Sequence, residues 1–371
     1  MKLPALSLYI HYPWCVKKCP YCDFNSHEQK QENDTIYMQA VLDNLDEQLQ
    51  WVQNRKIQTI FIGGGTPSLC SIEAMALLFS GLRKRLVFAN DIEITLEANP
   101  GASDAQKFAA LRALGVNRLS IGVQSFDDGH LQKLGRIHSA QQAIEAVKQA
   151  QSAGFDNINI DLMFGFERQT VEQCLADINQ AITLKPQHIS FYQLTVEPNT
   201  LFAKYPPKLS QETNWEMQEQ GQQRLQQAGF SQYEVSAFSQ RPAKHNLNYW
   251  QFGDYLGIGA GAHGKITLKD KIIRSAQSKS PKAFIENNQG KITQVTQLGF
   301  EFMLNALRLK SGFDPSLLTQ TTGLTLQDIQ VPLQKGFELG LLQQQGEKAT
   351  GNIRATHKGF DFLNDCQALF L

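Results

Sequence analysis

Short apolar runs rich in β-branched residues alternate, over the first half of the chain, with longer stretches whose apolar positions recur at helical spacing. The short runs Leu6–His11, Thr59–Ile62, Ile92–Glu97, Arg118–Gly122, Asn157–Asp161 and His188–Gln193 predict strands. The longer stretches Tyr37–Val52, Ile72–Arg85, Ala105–Leu114, Ala140–Ala153 and Val171–Leu184 predict helices. Repeated strand–helix alternation predicts an α/β fold around a parallel sheet, either open or curled into a barrel. Parallel architectures gather their sites at the C-terminal strand ends. The conspicuous residues fall there: cysteines after the first strand, Gly63-Gly64-Gly65 after the second, Glu97 ending the third, Gln124 past the fourth, Asp161 ending the fifth.

The pattern changes after Thr195. A helix around Glu212–Ala228 leads to Tyr233-Glu234-Val235-Ser236 and then to an aromatic, glycine-rich stretch from His245 to Gly264. Residues 266–290 are polar and basic and read as a connector, which leaves 1–265 as the core domain and 291–371 as a small, mainly helical C-terminal domain. Within that domain Ala349–His357 suggests a hairpin before a last helix, and Phe360, Phe362 and Phe370 are expected in its core.

A chain of 371 residues is too long for one small core, so a large domain with a smaller companion is the natural organisation. Its formal net charge is zero, which provides no overall basic field for nucleic acid or an anionic membrane surface. Nucleic acid is therefore not an expected partner. Met1-Lys2-Leu3-Pro4 leads straight into strand-like sequence, and no apolar run is long enough for a membrane span. A cytoplasmic location is expected.

Three of the six cysteines, Cys15, Cys19 and Cys22, lie on one short loop, while Cys70, Cys174 and Cys366 are scattered and read as core filling. In a reducing compartment so tight a group points to metal rather than disulfides. A [4Fe–4S] cube takes one thiolate per iron, so three close cysteines hold three corners and leave the fourth iron open. Zinc is the rival and needs a fourth donor, for which His11 or His27 is available. Gly63-Gly64-Gly65-Thr66-Pro67 lets backbone approach a ligand with no Cβ in the way; the plainer alternative is a turn with Thr66 as a helix N-cap. Glu97 can hold an ammonium group or a ribose diol, or be a solvated turn residue.

Cys15-Val16-Lys17-Lys18-Cys19-Pro20-Tyr21-Cys22 on the loop after the first strand resembles the radical S-adenosylmethionine (SAM) superfamily. The resemblance continues through Tyr9-Ile10-His11-Tyr12-Pro13-Trp14, His245-Asn246-Leu247-Asn248-Tyr249-Trp250 and Gly257-Ile258-Gly259-Ala260-Gly261-Ala262-His263-Gly264, over nearly the whole chain, and is to the coproporphyrinogen-oxidase-like branch. It implies a partial parallel (β/α) barrel, a [4Fe–4S] cluster on the three cysteines, and SAM on the open iron, which the reduced cluster cleaves to a 5′-deoxyadenosyl radical. It also implies SAM contacts at Gly64, Gly65, Thr66, Glu97, Gln124, Arg136 and Asp161, with Tyr9, Tyr21 and Thr195 as further candidates. One departure puts a loop in doubt: after Gly165 the branch has Leu-Pro-Gly-Gln-Thr, whereas this chain has Phe166-Glu167-Arg168-Gln169-Thr170.

Within the branch, oxygen-independent coproporphyrinogen III oxidases carry a further cysteine two residues after the third, and an N-terminal extension before the cluster. This chain has Phe24 at that place and its first cluster cysteine at position 15, which resembles the HemW haem-chaperone group instead. The resemblance implies a protein that binds haem and passes it to acceptor proteins, respiratory and membrane-associated ones among the candidates. The alternative is the oxidase itself, a decarboxylase of two propionates. No catalytic residue is assigned, SAM cleavage in the working cycle stays open, and so does a homodimer. His245 is the first candidate for a haem donor, with Tyr249 and Trp250 as flat apolar faces and His263 as a second donor.

Overall fold

The computed structural model describes residues 1–28, 33–102, 105–346 and 351–371. Six parallel strands follow in chain order: β1 (Leu6–Tyr12), β2 (Ile57–Gly64), β3 (Phe88–Ala98), β4 (Arg118–Gln124), β5 (Ile158–Phe164) and β6 (His188–Gln193). The helices between them are α1 (Asp34–Gln48), α2 (Ile72–Arg85), α3 (Ala105–Leu114), α4 (Ala140–Ser152) and α5 (Val171–Thr183), with α6 (Gln211–Gln227) after β6. Local chemistry sets their starts. Asn33, Ser71 and Ser210 cap α1, α2 and α6, while Ser139 with Gln142 and Thr170 with Gln173 form capping boxes on α4 and α5.

Strand alternation then sorts the side chains into two layers. Leu6, Leu8 and Ile10 join Met38, Val41 and Leu45 of α1 and Leu78 and Leu82 of α2 in the main core. The other face carries buried polar residues, among them Ser7, Thr59, Arg118, Asn159 and His188. A polar inner face needs partners, and the later chain supplies them.

That later chain adds β7 (Ser231–Glu234), β8 (Ala237–Ser239), the short helix α7 (Lys244–Trp250), β9 (Asp254–Ile258), β10 (His263–Thr267), β11 (Ile272–Ala276) and β12 (Lys291–Gln294). β9 lies parallel to β1, opposite β2, and all twelve strands form one sheet in the order β12-β11-β10-β9-β1-β2-β3-β4-β5-β6-β8-β7. Residues 266–290 are thus not a connector. β11 pairs antiparallel with β10 and β12 and is itself buried or half-buried; the polar look comes from exposed positions on either side of it, 269–271 and 279–280 among them. Buried Asp254 fastens this extension, accepting from Arg55 and Lys265, both within 2.9 Å, and from Thr267.

The C-terminal unit, α8 (Leu298–Ala306), α9 (Pro315–Thr322), α10 (Gln330–Glu338) and the hairpin β13 (Leu342–Gln344) with β14 (Ile353–Ala355), closes its own core around Phe302, Met303, Phe313, Leu318 and Phe370. Part of the expected Ala349–His357 hairpin, residues 349–350, lies outside the described residues. Phe362 was expected inside and is 53% exposed. Cys70, Cys174 and Cys366 are all buried. Among the described residues no helix is long and apolar enough to cross a membrane.

Candidate functional site

Beyond the end of β1 the chain turns through a short parallel bridge, Trp14–Cys15 with His27–Glu28, which brackets the cysteine loop. The glycine run at the end of β2 supports it from beneath: Gly65 N–H donates to Tyr12 O and Thr66 N–H to Trp14 O, each at 2.7 Å. A Cβ on Gly65 would stand 2.4 Å from the Trp14 carbonyl, so only glycine lets the two segments meet. Thr66 makes no side-chain cap, and Ser71 caps α2 instead.

Cys15, Cys19 and Cys22 line one cleft, together with Tyr21, Gly64, Gly65 and Thr66 from the first two loops. Glu97, Gln124 and Asp161 enter the same cleft from β3, β4 and β5, and Arg136 from the loop that follows the short helix Asp128–Lys133. It encloses about 150 Å³ and shares walls with a cavity of about 470 Å³ and, outside the cysteine loop, one of about 550 Å³. Arg136 Nη1 lies 3.7 Å from Cys19 Sγ and Nη2 donates to Gly122 O. Burial first, then the neighbouring thiols of Cys22 and Cys19, push the Cys15 thiol up to about 11. A thiol held protonated by burial and by neighbouring sulfurs is one that a metal cation relieves.

Two carboxyls share the cleft. Glu97 Oε2 accepts from Gly64 N–H at 3.0 Å, and burial with the charge of Asp161 pushes its carboxyl up to about 7. Burial likewise raises Asp161, against hydrogen bonds from Asn159, Ser190 and Ser120. Gln124 takes a left-handed backbone (φ +73°) at an irregularity in the β4–β5 register, and its Oε1 accepts from Tyr192. A non-glycine residue pays about 1 kcal/mol for that conformation, and such strain clusters where a side chain must be aimed at a ligand.

Two SAM candidates fall elsewhere. Tyr9 lies in the wall of the 470 Å³ cavity, and Thr195 is exposed past the end of β6 with its hydroxyl turned back to Gln193 O. In their place the cleft takes Ser120, Gly122 and Tyr192. Period-two alternation would have found them: Ser120, Gly122 and Gln124 share one face of β4, and Tyr192 sits on the corresponding face of β6. The loop at 166–170 keeps the turn that its sequence put in doubt. Arg168 adopts φ +61° where the branch has glycine, and Gln169 Oε1 accepts from the N–H groups of Gly165 and Phe166.

Residues 9–181 match the model of the radical SAM superfamily, and 294–362 that of the HemN C-terminal domain. The heme chaperone HemW of Escherichia coli (strain K12) is 46% identical over 100% of this chain and 99% of its own length. The chain belongs to the HemW family. HemW of Haemophilus influenzae is 46% identical at the same coverage, and that of Bacillus subtilis 34% identical over 98% of this chain and 99% of its own. The solved coproporphyrinogen III oxidase (HemN) of Escherichia coli has the same fold: TM-score 0.83 over 99% of this chain and 90% of that one, at 22% identity.

Membership of the radical SAM superfamily implies a [4Fe–4S] cluster and SAM as cofactors. The donor set fits. Three thiols face one cleft, a guanidinium stands beside one of them, and glycine backbone and two carboxyls remain for a zwitterionic ligand. The zinc alternative would draw its fourth donor from His11 or His27. His11 is engaged at Nδ1 by Tyr9 and at Nε2 by Asn25 O, and His27 Nε2 by Asn25 Oδ1.

The family's aromatic stretch divides between inside and outside. His245 is 1% exposed; its Nδ1 pairs with Thr59 Oγ1 at 2.6 Å and its Nε2 with the Tyr249 hydroxyl at 2.9 Å. As an axial donor it would have to give up one of these bonds and leave the core. The reason lies in α7, which plugs the inner face of the sheet, Glu93 accepting the backbone N–H groups of Lys244 and His245. Trp250 packs under the Arg308 guanidinium, 4.3 Å from its ring, at the junction with the C-terminal unit. Tyr249 and His263 line the 470 Å³ cavity.

Proposed function

We propose that the chain is a cytoplasmic haem chaperone: it takes up haem, carries a [4Fe–4S] cluster with SAM beside it, and hands haem to acceptor proteins, membrane-associated respiratory ones included, working as a homodimer. The observation that carries this reading is 46% identity along the whole chain with proteins named heme chaperone. Phe24 supports it, standing in the wall of both the cysteine cleft and the 470 Å³ cavity where the oxidase branch has a cysteine.

Cys15, Cys19 and Cys22 hold the cluster, which when bound supplies one-electron reduction next to SAM. Glu97, one oxygen fixed by Gly64, keeps the other for the amino group or ribose of that ligand. Arg136 balances the thiolate charge at Cys19.

Anaerobic reconstitution tests the reading. The protein should take up about four irons per chain and roughly one haem, and should pass the haem to an apo-haemoprotein. Cys19→Ala should abolish the broad cluster absorption and the iron, while Cys174→Ala, deep in the core, should keep both. Stoichiometric zinc without sulfide would overturn the cluster. Conversion of coproporphyrinogen to protoporphyrinogen under reducing, SAM-replete conditions would replace the chaperone with the enzyme.

A further inference from the structure

Resting on the haem-binding reading above, we infer that the 470 Å³ cavity is the haem site, with His263 as the axial donor and Lys279 as the partner of a propionate. The cavity lies within the range of ligand sites in general, and its walls carry the chemistry a metallated tetrapyrrole needs. Tyr9, Phe24, Tyr249 and Tyr255 contribute aromatic surface. Tyr249 and Tyr255 brace each other edge to face, centroids 4.5 Å apart, and Tyr9 stacks on Phe61. These rings are held rather than loose, which lowers the ordering cost of binding a flat ligand.

An axial bond needs a nitrogen with a free lone pair. Two histidines line the cavity, and they differ. His11 spends both ring nitrogens on Tyr9 and Asn25. His263 is exposed at the first residue of β10, and among the described residues its ring makes no hydrogen bond. Partial burial and the charges of Lys279 and Arg274 favour its neutral form, which is the ligating one. Lys279, also exposed, has an amine with no hydrogen bond or ion pair among the described residues. Asp23 and Glu97 put carboxyl groups into the same wall. Glu97 borders the cysteine cleft and is held there by Gly64, so the propionate end is directed toward Lys279.

The turn before His263 is fastened to the cluster loop. Asn25 Nδ2 donates to Ala260 O and Lys279 O, both at 2.9 Å, and a Cβ on Gly261 would strike the Asn25 side chain. Phe24, Gly64 and Glu97 belong to both chambers. Haem and the ligand of the cysteine cleft therefore sit against a common wall.

The test is a haem titration of the full-length, cluster-loaded protein, with the Soret band and the haem dissociation constant as readouts. His263→Gly should weaken haem by about tenfold or more and shift the Soret band, and added imidazole should restore both. Lys279→Gln should weaken haem by about threefold with the Soret band in place. Iron, sulfide and SAM binding should match the parent protein in both variants. An unchanged affinity and spectrum in His263→Gly, while the parent binds haem, overturns this site and leaves the chaperone reading standing. Weakened binding with no Soret shift and no imidazole rescue overturns axial ligation. A parent protein that binds no haem overturns the chaperone reading itself.

Discussion

The floor of the barrel and its rim are built from the same strands, and they differ in what their polar groups face. On the floor Thr59 donates to Ser7 and pairs with His245; His188 pairs with Asn159 at 2.6 Å and with Tyr233 at 2.9 Å. Burial, and next the charge of Arg118, pushes His245 down to about 3 and His188 well below its usual value, so both stay neutral members of a closed network. On the rim, Glu97 and Asp161 share a cleft with the cysteines, and burial holds both carboxyls above their ordinary values. Polar groups satisfied within the fold stabilise it, and titratable groups shifted by burial in a cleft mark a ligand site. In parallel barrels the same division separates the stabilising face from the active one.

The contrast is tested most sharply by two glycines. Gly64 has φ +117°, and a Cβ there would sit 2.5 Å from the His11 ring. Gly64→Val should therefore cost more than about 3 kcal/mol and read as a folding defect, whatever it does to SAM. A Cβ on Gly122 would press on the ends of Gln124, at 3.1 Å, and Arg136, at 3.4 Å, inside the cleft, with the Ala98 carbonyl at an ordinary 3.8 Å. Gly122→Ala should weaken SAM about tenfold in equilibrium binding with the melting temperature held. A folded, SAM-binding Gly64→Val protein would dissolve the distinction.

Next in size is His245→Ala, which leaves Thr59 and Tyr249 short of a partner and opens a hole in the floor. Urea titration should record a loss of about 3 kcal/mol, with the haem spectrum of the folded fraction unchanged. Full stability with an altered Soret band would move His245 from the floor to the ligand site.

The rim has a pH signature. The Glu97 carboxyl sits near 7, above its ordinary 4.5. The folded protein keeps a proton that the unfolded chain has released, so stability falls as pH rises through that window, by roughly 3 kcal/mol. Glu97→Gln should flatten the fall. Parallel melting curves for parent and variant from pH 4.5 to 7 would show that the carboxyl carries no such proton.

Smallest is Arg168→Gly. Relieving a left-handed arginine should raise stability by about 0.5 kcal/mol in the same urea titration, and any loss would mean that the arginine side chain outweighs its strain.

Much of the barrel was legible in the chain. The spans of α2 and α3, and of β6, match the hydrophobic patterning end to end, because a helix or strand buried on one face has to repeat its apolar positions with its own period. Other strands run longer than expected: β3 begins at Phe88 rather than Ile92, since its first residues pair only briefly with β2 through a register shift. The strands of 254–294 were not predicted, although 254–265 was placed in the core domain. β9 lies beside β1, distant in sequence, and short edge strands without an apolar face on both sides leave little local trace.

The sequence by itself determined the three-cysteine loop, the strand-end position of the acidic and amide residues of the cleft, and membership of the branch, because these depend on spacing along one chain and on a periodicity that burial enforces. Only the tertiary structure decided which histidine is available. His245 and His263 both lie in the same aromatic, glycine-rich stretch, yet α7 turns one into the floor, where Thr59 from β2 and Tyr249 take both its nitrogens. The turn anchored by Asn25 leaves the other facing an open cavity. Whether a polar group is spent or free depends on neighbours brought from elsewhere in the chain, and no local pattern records them.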